Sequence, residues 1–220
     1  MQQEREPKMR FSALCVFSGA ALCLSVSAQA DVVIDLGGGW EATIFSEQVD
    51  LTVDFFDFDK DIIVLQKFAN FIEIDKKTGL PAPLSIAFAQ IAPDDETVSR
   101  IVLTDAFIFN NTGVNWSAFR EILLGEHVAF DPEASRDFSI DPFTTMTFID
   151  DNTEVIFGGG TVFDGTIWTP GLDRGALVIN VDLSRDDPVK FVLKELPVPA
   201  PGALALVACG LLVPRRRRRT

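Results

Sequence analysis

The chain has 220 residues, 47% hydrophobic and 23% charged, with 32 acidic against 19 basic side chains and a net charge of −13. That length is enough for one domain with a substantial core. Between residues 31 and 214 there are 11 basic and 30 acidic residues, a net −19, so the body repels nucleic acid and anionic membrane surfaces and attracts cations.

Arg5, Lys8 and Arg10 precede a run of small and apolar residues over 11–27, which ends in Ala28-Gln29-Ala30. A basic start, a short apolar run and a small-x-small ending read as a signal peptide over 1–30, cleaved before Asp31. Translation starts at Met1 or at Met9, and the second start gives the cleaner leader. Leu22 before Cys23 and Leu14 before Cys15 exclude a lipoprotein, which needs a small residue there. Cys15 and Cys23 lie in the leader and Cys209 near the end, so the exported body over 31–196 has no cysteine. It must be held by its core rather than by disulfides.

Period-two alternation marks the body as strands. Runs lie at 32–36, 40–45, 49–58, 62–71, 84–89, 101–108, 116–124, 145–149, 153–157, 176–183 and 189–194. In the sixth, Ile101, Leu103 and Phe107 are expected on one face, with Val102, Thr104 and Ile108 on the other. Turn chemistry separates the runs at Lys77-Thr78-Gly79-Leu80-Pro81, Ala92-Pro93-Asp94-Asp95, Asn110-Asn111-Thr112-Gly113 and Asp150-Asp151-Asn152. One helical turn fits 131–136. Short strands without interleaved helices predict an all-β fold, an antiparallel β-sandwich of jelly-roll or Ig-like type, with a closed barrel as the alternative. With 19 Phe, 3 Trp and no Tyr, the rings are expected to serve packing, which counts against a sugar-binding surface.

Asp57, Asp59 and Asp61, with Asp54 upstream, are the candidate metal ligands, since clustered carboxylates suit calcium. The competing reading is a solvated strand edge that discourages edge-to-edge pairing. His127, the single histidine, is flanked by Glu126 and Asp131; with no cysteine in the body, a zinc site is not expected. Gly37-Gly38-Gly39 and Gly158-Gly159-Gly160 lack the Lys and spacing of a phosphate loop and read as turns. No residue set forms a catalytic signature, and the expectation is a protein without enzymatic activity or a required cofactor.

After residue 196 the composition changes. Val198-Pro199-Ala200-Pro201 leads into an apolar stretch over 202–213, then Pro214 and five arginines, Arg215, Arg216, Arg217, Arg218 and Arg219. A dozen helical residues span roughly 18 Å at 1.5 Å each, against a bilayer core of about 30 Å. The arginines would snorkel to the cytoplasmic interface and stop transfer there. Such a short segment, a C-terminal membrane helix, suits a transient anchor.

The three parts of this tail resemble a PEP-CTERM sorting signal, in a Pro-Ala-Pro-Gly variant with Ala200 where the commonest form has Glu. The resemblance implies recognition and processing by an exosortase, an integral membrane enzyme. In that pattern Val198, Pro199, Ala200 and Pro201 take the motif positions and Arg215 to Arg219 the stop. Asn110-Asn111-Thr112-Gly113 followed by Trp116-Ser117-Ala118-Phe119 also resembles a segment of the exported bodies of such proteins, and reads as structural. The expected protein is a secreted surface or extracellular-matrix component, held at least transiently at the inner membrane. Its expected partners are signal peptidase, the export machinery, an exosortase-like enzyme and exopolysaccharide. A calcium-dependent adhesin or glycan-binding module is the second reading, and a carboxylate-based hydrolase the third.

Overall fold

The structure, a computed structural model, describes residues 31–184 and 187–201. The expected signal peptide, the apolar stretch over 202–213 and Arg215 to Arg219 lie outside the described residues. Thirteen strands follow one another along the chain: β1 (Val32–Gly37), β2 (Trp40–Ile44), β3 (Val49–Asp57), β4 (Ile62–Phe71), β5 (Leu84–Gln90), β6 (Arg100–Asn110), β7 (Trp116–Gly125), β8 (Val128–Phe130), β9 (Thr145–Ile149), β10 (Glu154–Gly158), β11 (Thr166–Trp168), β12 (Leu177–Val181) and β13 (Lys190–Pro199). They form two facing sheets, so the described residues make an all-β sandwich and not a closed barrel. One sheet has the order β1-β2-β5-β13-β7-β10-β9, and the other β3-β4-β6-β12-β8 with β11 added to the far end of β6.

All neighbours in the first sheet are antiparallel. The second departs from the antiparallel expectation at one place, where β4 and β6 run parallel. Between them the chain crosses to the first sheet as β5, so it re-enters the second sheet in the same direction. β8 and β11, three residues each, are the strands absent from the sequence reading. The single helical turn expected at 131–136 is present, with the Ser135 amide donating to the Asp131 carbonyl at 3.0 Å.

The expected face assignment of β6 is reversed at its end. Gln66 of β4 opposes Thr104, but Phe68 opposes Phe107, so β6 carries one extra residue opposite Lys67. This β-bulge shifts the parity of everything after it. Ile101 and Leu103 face the core as expected, but Ala106 and Ile108 follow them there, and Phe107 is turned out to solvent.

Three tryptophans anchor the core, each no more than 1% exposed, and each indole N–H has an acceptor. Trp40 donates to the Val98 carbonyl at 2.8 Å, Trp116 to Thr112 Oγ1 at 3.1 Å, and Trp168 to the Ile140 carbonyl at 3.2 Å. Phe71 packs edge-on against the Trp116 indole, and Phe119, Phe143 and Phe157 against that of Trp168, at centroid distances of 5.0–5.3 Å. The phenylalanines are not all spent on packing, however. Phe45, Phe55, Phe56, Phe58, Phe68, Phe107 and Phe163 are exposed.

The Asn-Asn-Thr-Gly turn is built as a structural unit. Asn110, fully buried, donates through Nδ2 to the Val114 and Val162 carbonyls at 2.9 and 3.2 Å, and its Oδ1 accepts from Thr112 Oγ1 at 2.7 Å. Thr112 Oγ1 in turn accepts from Trp116, and Gly113 takes the left-handed φ of +78°. These bonds hold the β6–β7 connection and fold Trp116 over Phe71.

The last strand extends past the domain boundary expected at 196. β13 pairs with β7 as far as Pro199 opposite Trp116, and the Ala200 amide donates to the Asn115 carbonyl at 2.8 Å. Pro197 and Pro199 face inward and are buried. Proline suits this position because both lack an amide donor, and the strand is ending.

Candidate functional site

The most unusual chemistry lies in the interior. Along β4 the inward-facing residues are Ile63, Leu65, Lys67, Ala69 and Phe71, so a lysine takes a core position, 2% exposed. Across the gap, β7 turns Phe119, Glu121 and Leu123 inward, and β13 turns Leu193, Glu195 and Pro197 inward. Glu121 and Glu195 are direct partners in the β7–β13 register, 3% and 0% exposed. Two like charges facing each other across strands repel. Lys67 Nζ relieves this by meeting both carboxylates: it donates to Glu121 Oε1 at 2.7 Å and also contacts Glu195 Oε1.

One ammonium cannot serve two ionised carboxylates in full. Glu121 Oε2 and Glu195 Oε2 are buried without a hydrogen-bond partner. Burial works against the Lys67 ammonium, but the Glu121 and Glu195 carboxylates outweigh it and hold its pKa above the ordinary lysine value. Burial pushes the Glu195 carboxyl up; the Lys67 charge opposes this and the Glu121 charge adds to it. Burial therefore disfavours the state in which both carboxyls are charged.

Sequence reading did not single out this triad. The signal was present as parity: in each of three strands a charged residue falls on the apolar face. The alternation over 189–194, followed one step further, places Glu195 beside Phe191 and Leu193.

The acidic residues singled out as metal ligands do not gather around a common point. Asp57, at the end of β3, pairs with Lys60 Nζ at 3.0 Å, and hydrogen bonding from Lys60 holds its carboxyl below the ordinary range. Asp59 is exposed in the turn. Asp61, in the left-handed region at φ 56°, accepts from the Ser99 amide at 2.6 Å and from the Ser99 hydroxyl. Asp57 thus closes β3, while Asp59 and Asp61 lie in the turn between β3 and β4. Among the described residues no group of three His, Cys, Asp or Glu side chains is disposed to hold a metal ion.

His127 sits in the β7–β8 turn at φ 66°, with Nε2 3.6 Å from Glu126 Oε2 and its carbonyl accepting from the Asp182 amide at 2.8 Å. Glu126, His127, Asp187, Pro188, Val189 and Lys190 line a surface hollow of about 310 Å³ there. Gly37, Gly38 and Gly39 form the β1–β2 turn, all at positive φ. On the outer face of the second sheet, Phe68, Phe107, Phe109 and Ile167 make an apolar ridge across β4, β6 and β11, with the Phe68 and Phe109 rings 5.1 Å apart.

Of the four residues expected to form a sorting motif, Val198 and Pro199 belong to β13, Ala200 is tied to Asn115, and Pro201 is exposed. No helix among the described residues is long and apolar enough to cross a membrane. Compared with known protein families, curated proteins and solved structures, the chain matches none.

Proposed function

We propose that this chain is a non-enzymatic exported protein of the cell surface or extracellular matrix, its jelly-roll or Ig-like sandwich delivered through a PEP-CTERM-type tail. The observation that carries the reading is the pairing of the two ends. An apolar leader closes in Ala28-Gln29-Ala30, and Val198 to Pro201, the apolar 202–213 stretch and Arg215 to Arg219 follow the body. Signal peptidase removes the first segment. An exosortase-like enzyme takes the second, with the arginines holding the chain at the cytoplasmic face until it acts. The order of elements supports this reading, because β13 runs into the motif as far as Pro199. The exposed ridge of Phe68, Phe107 and Ile167 supports a body used for contact rather than for chemistry.

Replacing all five arginines with serine tests the reading. Full-length protein should then leave the membrane fraction, or accumulate in the wrong orientation, while the leader is still removed. Fractionation identical to the parent protein would count against a sorting tail.

A further inference from the structure

We propose that Lys67 and Glu195 condense to an intramolecular amide that joins the two sheets covalently. The reacting groups already meet in the fold: Lys67 Nζ touches Oε1 of the Glu195 carboxyl it would attack, and Glu121 Oε1 lies 2.7 Å from the same nitrogen. All three residues are at most 3% exposed, and they come from three strands whose register fixes them, with Glu121 directly opposite Glu195. Holding reactants in van der Waals contact supplies the orientation that an intermolecular condensation lacks.

The Glu121 and Glu195 carboxylates favour Lys67 as an ammonium, so the step must begin by removing a proton from it. The site holds one ammonium and two carboxyls, and a neutral Glu195 is the electrophilic partner that burial promotes. Starting from the Lys67 ammonium, the Glu121 carboxylate and the Glu195 carboxylic acid, Nζ passes one proton to Glu121. The freed lone pair attacks Glu195 Cδ, forming the Nζ–Cδ bond. Nζ then gives up a second proton, the Glu195 hydroxyl takes a proton relayed through Glu121, and the Cδ–O bond breaks with loss of one water. Glu121 ends as a carboxylic acid able to donate to the new amide carbonyl. No oxidant or co-reactant is consumed, and net charge is zero before and after. The step removes the buried ions and gives Glu121 a role that an ion pair alone leaves half-satisfied. It would also cross-link a body that contains no cysteine.

The exported chain, with both termini fixed by sequencing its terminal peptides, should weigh one water less than its sequence requires. Tryptic digestion should leave the bond after Lys67 uncut and yield a branched peptide joining the Lys67 segment to the Glu195 segment. A full-weight chain giving separate peptides overturns the proposal, and a branch ending on Glu121 overturns the assignment of Glu195. Lys67→Met should restore the full weight. Glu121→Gln, checked for folding by its thermal transition, should also remain at full weight; loss of water in that folded variant would remove the relay role. The measurement on the parent chain decides the bond whether or not either variant folds.

Discussion

Asp131 accepts from the Glu133 and Ala134 amides at 3.1 and 2.9 Å through Oδ1, and from Asn180 Nδ2 at 3.0 Å through Oδ2. It thus caps the single helical turn after β8 and ties that turn to β12. The Ala134 amide and the Asn180 side chain hold its carboxyl below the ordinary range, with partial burial opposing them. Because its folded pKa is depressed, Asp131 stabilises the protein above the unfolded carboxyl range, and that contribution is lost as pH falls through the folded value. Asp131→Ala should cost about 1 kcal/mol at neutral pH. Asp131→Asn should keep most of the cap but flatten the acid limb of a stability-against-pH curve measured by denaturant unfolding. An unchanged acid limb would show that the shift does not couple to folding. Asp131 was visible in the sequence as a neighbour of His127, yet its partner Asn180 lies 49 residues away. The Lys67 triad was hidden in the same way. Alternation shows that residue 67 faces inward, but only the pairing of β7 with β13 shows what it faces. That pairing is set by sheet order, which local pattern does not encode.

The turns behave as elements with their own energetics. Gly39 has φ +84°, and a Cβ there would sit 2.7 Å from the Thr97 Cα, backbone that cannot yield without moving the β1–β2 hairpin. Gly113 has a similar φ of +78°, but a Cβ there meets open space. Gly113→Ala should therefore cost only the backbone term, about 1 kcal/mol, and Gly39→Ala about 3 kcal/mol, since the clash adds to it. Paired denaturant titrations check this, and equal costs would show that the hairpin relaxes freely. Long strands such as β5, alternating over all seven residues, were legible because period-two patterning has room to repeat. β8 and β11 were not, since three residues hold barely one period and exist as strands only because β12 and β6 offer them edges. The β6 bulge was equally invisible, for an inserted residue leaves composition and local propensity untouched while reversing every later face.

At the scale of the whole molecule, the issue is where the sandwich ends and the tail begins. The change in composition points to residue 196, but strand pairing continues to Pro199, and the Ala200 amide adds one more bond to Asn115. Pro197 and Pro199 are buried, opposite Phe119 and Trp116, under the same indole that the Asn110–Thr112 network holds in place. A body ending at 196 should therefore be less stable than one ending at 201. Losing two buried side chains and the last ladder bonds should cost roughly 3 kcal/mol. For a domain of this size that corresponds to a fall in thermal midpoint of roughly 6–12 °C. Melting curves of the two truncations, followed by circular dichroism, decide it. Coincident midpoints would mean that the end of β13 adds nothing to the fold and that the whole motif is free for a processing enzyme. If the shorter body melts first, a cut before Pro199 would have to peel paired strand away from β7. A cut at or after Pro201 would leave the sandwich intact, and if the proposed export and processing take place, mass spectrometry of the processed protein should find its C-terminus no earlier than Pro201.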